Sequence, residues 1–434
     1  MRNTDTLIIG AGMSGLATAN FLPPGSDWLL VEADDSPGGY CKTVVQDGFV
    51  WDYSGHFFHF RHPEIEHYLR ARMPADEVFS VQKRSSILIG GRRVDFPFQK
   101  NIHQLAHEDF LDCLHDLYFR EESAEAAGVE ADSFLGMLYA RFGRGITERF
   151  LRPYNEKLYA TPLDQLDRDA MGRFFPKADV ADIIRNFKNP DNASYNAHFT
   201  YPKGGAIEYV RALLHDLPND RIAYGERLLS IDVERRVATT TAGEIGFRNL
   251  VSSAPFPKLL QICGVEHDAS LYSWNKVLVY NLGFDRKGPK DDHWVYIPER
   301  DTVFYRVGFY DNIFDTPRMS LYIEIGLGKD DPVDIEGTLP RVLEDLRRCG
   351  ISDGHELVSW HSIVLDPAYV HVESRSQADF LARRETLAAA GVHSIGRYGG
   401  WKYCSIEDNL IEARELVEQL SGHRFDLSTP PRSA

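Results

Sequence analysis

Leu7-Ile8-Ile9-Gly10-Ala11-Gly12-Met13-Ser14-Gly15 sets an apolar run directly before three spaced glycines, and a helix-like run follows. A strand that feeds a glycine turn and a helix N-terminus aims unpaired backbone N–H groups at one point, which makes a site for a dinucleotide pyrophosphate. Gly10 permits the tight turn, Gly12 the approach of backbone to phosphate, and Gly15 the close packing of helix on strand, with Met13 and Ser14 opening the helix at the same place. Glu32 closes a second apolar run, Trp28-Leu29-Leu30-Val31, where a carboxylate can accept hydrogen bonds from ribose hydroxyls, and Gly38-Gly39 follow. By itself this motif suits a dehydrogenase and a flavoprotein equally.

A chain of 434 residues exceeds what one hydrophobic core usually holds, so two or three lobes are expected. Its net charge of −16 argues against nucleic-acid or membrane-surface partners, and an anionic substrate would need local arginines to overcome that field. Cys41, Cys113, Cys263, Cys349 and Cys404 are scattered without Cys-x-x-Cys spacing, which fits a reducing compartment and gives neither a disulfide framework nor a metal site. The apolar N-terminal stretch is broken by glycines and lacks a basic leader, so it reads as buried strand and helix in a cytoplasmic protein. Oligomeric state leaves no trace in the sequence.

The fold class expected is α/β, with a nucleotide-binding domain assembled from separated pieces. Residues 1–102 hold the first βαβ unit and a small hairpin at Ser86-Ile87-Leu88-Ile89-Gly90-Gly91. Helical spacing over 103–198 (Phe110, Cys113, Leu114, Leu117, then Phe134, Leu138, Phe142, Ile146, Phe150) marks an inserted helical lobe. Residues 199–270 return to strands that rejoin the nucleotide-binding sheet, and 271–385 alternate as an antiparallel sheet domain with one helix. A last strand, glycine turn and helix, 386–425, complete the first domain around Gly396, and 426–434 read as a flexible tail.

This divided assembly resembles the FAD-dependent superfamily of amine oxidases, protoporphyrinogen oxidases and UDP-galactopyranose mutases, which implies FAD as the dinucleotide. Five further segments resemble the mutases: Gly48 to His56, Phe96-Pro97-Phe98-Gln99-Lys100-Asn101, Arg152-Pro153-Tyr154-Asn155-Glu156-Lys157, Trp294 to Glu299 with Phe304-Tyr305-Arg306, and Gly396 to Tyr403. The resemblance implies catalytic roles for His56, beside the reactive flavin edge, and for Arg306 and Arg173 as clamps on a diphosphate. It implies substrate contacts from Phe96, Phe98, Gln99, Asn155, Tyr159, Asn196, Tyr296, Tyr369 and Tyr403. Gly55, His56, Gly396, Arg397 and Asp408 join the N-terminal glycines and Glu32 as implied cofactor contacts.

The residues support those implications in part. Arg306 stands in an apolar strand, where a cation needs either an anionic ligand or an interdomain ion pair. His59 and His62 lie near His56, but no acidic or thiol partner sits at ligand spacing, so no metal is expected. Two departures put the base and the sugar in doubt. Phe96 stands where the family has a tyrosine, and Cys404-Ser405-Ile406-Glu407-Asp408-Asn409 lacks the family's asparagine and histidine.

The resemblance implies a mutase interconverting pyranose and furanose forms of a nucleotide sugar, in which N5 of reduced FAD attacks the anomeric carbon with no net redox change. The reductant implied is NADPH or NADH. The alternatives are an amine oxidase or protoporphyrinogen oxidase-like oxidoreductase, and a silent nucleotide-sugar binder.

Overall fold

The fold is that of a computed structural model describing residues 1–122, 128–175, 178–192 and 197–431. Among these residues, seven strands form a sheet in the order Leu228–Asp232, Val237–Thr240, Gly243–Ser252, Arg2–Ile9, Trp28–Val31, Ile222–Ala223, with Val392–Ser394 also paired to Gly243–Ser252. Its central strands are parallel and buried on both faces, which suits their continuous apolar runs. Alternation along the first strand separates two layers. Ile8 packs with the helices Met13–Phe21, Ile207–Leu214 and Ile406–Ser421, whereas Leu7 and Ile9 pack with Phe256, Leu259, Phe380 and Trp401.

The register fixes where a ligand can sit. Ile9 lies opposite both Val31 and Ser252, and Ser252 opposite Ser394, so four parallel strands end level with one another. Gly10, Glu32, Ser253 and Gly396 therefore leave the sheet along one carboxyl edge, where open α/β sheets bind ligands.

A second sheet runs Leu357–Val370, Trp274–Phe284, Ser320–Gly328, Arg306–Phe309, Trp294–Tyr296, Ser85–Ile89, Arg92–Asp95. It is antiparallel except where Trp294–Tyr296 meets Ser85–Ile89. One face carries Val295, Val307 and Ile323 against Val342 and Leu346 of the helix Ile335–Arg348. The other shows two cross-strand rows, Trp294/Gly308/Tyr322 and Tyr296/Arg306/Glu324.

Three boundaries differ from the sequence reading. The hairpin near Ser86 pairs with Trp294 to Tyr296 and so belongs to the second sheet, although it lies within 1–102. Pairing across some 200 residues leaves no local periodicity to detect. The strand His198–Pro202 pairs with Val78–Gln82 in a small sheet of its own rather than rejoining the first. The expected loose tail is anchored at its start: Leu427 is buried among Tyr68 and Val417, and Thr429 O accepts from Arg72 Nη2 at 3.2 Å, while Ser428 to Pro430 are exposed.

The inserted lobe is built on His107–Tyr118, Phe134–Ile146, Arg152–Tyr159 and Val180–Asn186. Gly143 has φ +69°, and a Cβ there would overlap the Asp116 carbonyl, so the first two helices touch backbone to backbone. We expect Gly143→Ala to lower unfolding stability by about 1–3 kcal/mol, read from the denaturant midpoint. Leu111→Ala, on the exposed face of His107–Tyr118, serves as control and should move it by less than about 0.5 kcal/mol.

Candidate dinucleotide and substrate site

The carboxyl edge of the first sheet opens into a cavity of about 600 Å³ whose far wall is the polar face of the second sheet. At the near end, Gly10 has φ +99°, which only glycine adopts without strain, and a Cβ on Gly15 would overlap the Gly10 carbonyl oxygen. Gly12 caps the first helix in extended conformation with no side-chain capping bond, which leaves first-turn N–H groups open beside Met13 and Ser14 on the cavity wall. Gly38 N–H donates to Ala11 O at 2.8 Å, holding Gly38-Gly39 against this turn. A Cβ on Gly396 would press on Ser14 Oγ at 2.6 Å. Three distant segments thus meet through backbone alone, in the shape of a cradle that side chains would fill.

Glu32 lines the cavity and accepts from Ala11 N at 2.6 Å and Asp34 N at 2.9 Å, so its carboxylate is aimed at the cradle by the turn it serves. This donor-rich, glycine-lined cleft fits the pyrophosphate and ribose of FAD. His56 sits beyond it on the turn after Phe49–Asp52, its N–H donating to Ser54 O at 2.8 Å. Its Nδ1 is buried and unpartnered among the described residues, an orphan that a bound flavin could satisfy. Burial, reinforced by the Arg397 charge, lowers its pKa to about 4, so it is neutral at pH 7.

The second sheet supplies the charge. Arg306 donates Nε to Glu324 Oε2 at 2.5 Å, with Nη2 also 2.5 Å away, and both residues line the cavity. Burial opposes both charges, yet each ion outweighs that penalty for the other: Glu324 is held below the ordinary carboxylate range, and Arg306 stays firmly protonated. Phenols surround the pair. Tyr296 accepts from Trp294 Nε1 at 2.6 Å, and Tyr369 stacks on Tyr403 at 5.7 Å. Arg397 lies 4.5 Å from the Tyr403 ring centre and 5.0 Å from that of Tyr369, with Nη1 donating to Cys404 O at 3.1 Å.

The cavity therefore gathers Gly10, Gly12, Met13, Ser14, Glu32, Gly38, Gly39, Gly55, His56, Tyr296, Arg306, Tyr369, Arg397 and Tyr403, with Gly15 and Gly396 shaping it from behind. Other expected residues stand elsewhere. Asp408 does not face the cofactor cradle: it caps the helix Ile406–Ser421 through Ser405 and pairs with Arg173 Nη2 at 2.5 Å. That ion pair holds Arg173 beside the cavity rather than in it. Phe98 is core, packed 4.9 Å from Phe150, and Gln99 is buried near it. Phe96 stacks on the back of the site, 5.0 Å from Tyr296. Asn155 and Tyr159 lie in a second layer on Arg152–Tyr159, where Asn155 Oδ1 and Tyr159 Oη are buried without partners among the described residues. Asn196 lies outside the described residues.

The sequence reading missed Ser54, Tyr322, Glu324, Glu407 and Asn409, all on the cavity wall. Glu324 had a signal: a lone carboxylate in an apolar strand, opposite the lone arginine of another. Asn409, three residues into the last helix, meets Ser14 Oγ at 3.2 Å.

Three histidines, the buried His293 and the half-buried His56 and His59, have pKa values lowered to about 4, chiefly by desolvation. Each must bind a proton more readily once unfolded, where its value is about 6.5, so its stability contribution is complete above pH 6.5 and is lost as pH falls toward 4. Asp52 and Asp311, both raised to about 6 by burial, run the other way. With three histidines against these two acids, the melting temperature should fall between pH 6.5 and 4.5, and His56→Asn should flatten part of that slope. An identical slope in the variant would contradict the assignment.

The sequence pattern of the NAD(P)-binding Rossmann-like domain family matches residues 8–71. Protoporphyrinogen oxidase 2, chloroplastic/mitochondrial, of Arabidopsis thaliana is 25% identical over 191 residues, 42% of this chain and 36% of that protein, so the match spans about a third of that relative's length. A crystal structure of reduced UDP-galactopyranose mutase superposes with TM-score 0.89 at 24% identity, covering 99% of this chain and 97% of its own. Cyclohexylamine oxidase from Brevibacterium oxydans IH-35A superposes with TM-score 0.65 at 15% identity, covering 96% and 99%. The chain shares over nearly its whole length the fold of the solved UDP-galactopyranose mutase, and its residues 8–71 carry the NAD(P)-binding Rossmann-like pattern.

Proposed function

We propose that this protein is a flavin-dependent nucleotide-sugar mutase that interconverts the pyranose and furanose forms of an NDP-hexose. The observation that carries the reading is the row Tyr296/Arg306/Glu324, which sets a half-buried guanidinium among phenols on the wall facing the glycine cradle. A cation and hydroxyl donors in a desolvated site suit a departing diphosphate, whose charge grows as the glycosidic bond breaks.

Reduced FAD, when bound, would supply the nucleophile, primed by NADPH or NADH. The chain's own residues do the rest. Arg306 Nη1 and the hydroxyls of Tyr296, Tyr369 and Tyr403 receive the diphosphate. Neutral His56 offers one ring nitrogen as acceptor and the other as donor beside the reacting sugar. Tyr159 packs edge-on against the Tyr369 ring, 5.8 Å between ring centres. Arg173 stands beside the cavity, where release from Asp408 would let it add a second cation. All five cysteines are free, which suits the cytoplasmic setting read from the sequence.

The oxidase alternative is weakened by Arg397. Parallel tyrosines such as Tyr369 and Tyr403 are a place for a cationic amine, but here a guanidinium already lies against both rings.

Dithionite-reduced protein incubated with UDP-, GDP- and dTDP-hexopyranoses should yield a furanose product, resolved by chromatography, while the flavin stays reduced. Oxygen consumption with an amine and no furanose from any sugar nucleotide would reject the reading. Arg306→Ala should cut turnover roughly 10²- to 10³-fold with FAD retained; Arg306→Lys, which keeps a charge on Glu324, should recover part of it.

A further inference from the structure

A carboxylate on the wall of an anion site is out of place unless it has work there. Glu324 is 1% exposed and is fully engaged: Oε2 takes Nε and Nη2 of Arg306, and Oε1 accepts from Ser54 Oγ. Arg306 Nη1 has no protein partner among the described residues, so the arginine presents one edge to its carboxylate and has one nitrogen left for a ligand. A buried ion pair seldom repays its desolvation, and the opposite face of the same strands is wholly apolar. Fold stability alone therefore gives little reason for the pair.

We infer that Glu324 sets how tightly the cavity holds a diphosphate: it aims Arg306 while offsetting part of its charge, so that the group is bound for reaction and still released. The inference rests on the nucleotide-sugar reading of the cavity. Its physical basis is distance. An anion on Nη1 is nearer the guanidinium than the carboxylate, so Glu324 subtracts from the attraction without abolishing it. With the pair nearly neutral, Arg397 and the phenols supply the remaining attraction, and that guanidinium is held by the Cys404 carbonyl and packed against Tyr369 and Tyr403.

Glu324→Gln separates charge from aim. The amide oxygen can still accept from Arg306, and the amide nitrogen can donate to Ser54 Oγ, so the hydrogen bonds survive while the negative charge goes. Glu324→Asp does the reverse, keeping the charge and withdrawing the carboxylate from Arg306. Calorimetric titration of FAD-loaded protein with UDP, GDP and inorganic pyrophosphate reads both. We expect Glu324→Gln to bind the diphosphate that the wild type accepts about tenfold more tightly, with a steeper salt dependence, and Glu324→Asp to bind it more weakly. Uridine, which carries no phosphate, should bind all three proteins alike. In turnover, Glu324→Gln should lower KM and kcat together, because release slows.

A purely structural carboxylate would make both variants weaker, and that result, or unchanged affinity in Glu324→Gln, would overturn the inference. Should Glu324→Gln not fold, Glu324→Asp still tests it: affinity equal to or above wild type overturns it. Failure of the wild type to bind any of the three diphosphates would overturn the nucleotide-sugar reading, and this inference with it.

Discussion

Four parallel strands ending level with one another are the constraint from which the rest of the molecule follows. Because Ile9, Val31, Ser252 and Ser394 share one edge, the segments leaving them must turn within a few ångströms of each other. Only a glycine-rich backbone tolerates that crowding: Gly15 has no room for a Cβ beneath the Gly10 carbonyl, and Gly396 has none beside Ser14. The same crowding exposes backbone donors in place of side chains. Close packing and anion binding are here a single property of one turn.

Opposite that cradle, the second sheet alternates with equal economy. Val295, Val307 and Ile323 face a helix, and their neighbours Tyr296, Arg306 and Glu324 face the cavity. Cross-strand register, with Arg306 opposite both Tyr296 and Glu324, places the guanidinium to within a side chain's length of its partners before any ligand arrives. Gly308 contributes by omission, since the Tyr322 ring lies where its Cβ would be. Rigid sheets on both sides leave the chemistry to preorganised groups.

Legibility in the sequence followed the range of the interactions. The glycine turn and Glu32 were readable because strand, turn and helix are adjacent in the chain. Arg306 was readable because a lone charge interrupts an apolar alternation. Asp408 and Arg173 each look free in sequence, whereas in three dimensions they pair with one another across 235 residues. Phe98 and Gln99 sit in a segment resembling a ligand-binding one, but the Phe98 ring turns into the helical lobe against Phe150. Glu324 carried the same signal as Arg306 and makes sense only beside it, through a strand pairing that no local pattern encodes. The pairing of the Ser86 hairpin with Trp294–Tyr296 went unread for the same reason.

The central claim is that the glycine cradle and the Arg306 row are two ends of one site, the first for a dinucleotide and the second for a diphosphate. A crystal structure of the FAD-loaded, reduced protein soaked with UDP tests this most directly. The account predicts the flavin pyrophosphate on the N-terminus of Met13–Phe21 and the UDP phosphates within hydrogen-bond distance of Arg306 Nη1 and at least one of Tyr296, Tyr369 and Tyr403. UDP bound away from Arg306, with the cavity beyond His56 filled by an apolar or amine ligand instead, would contradict it.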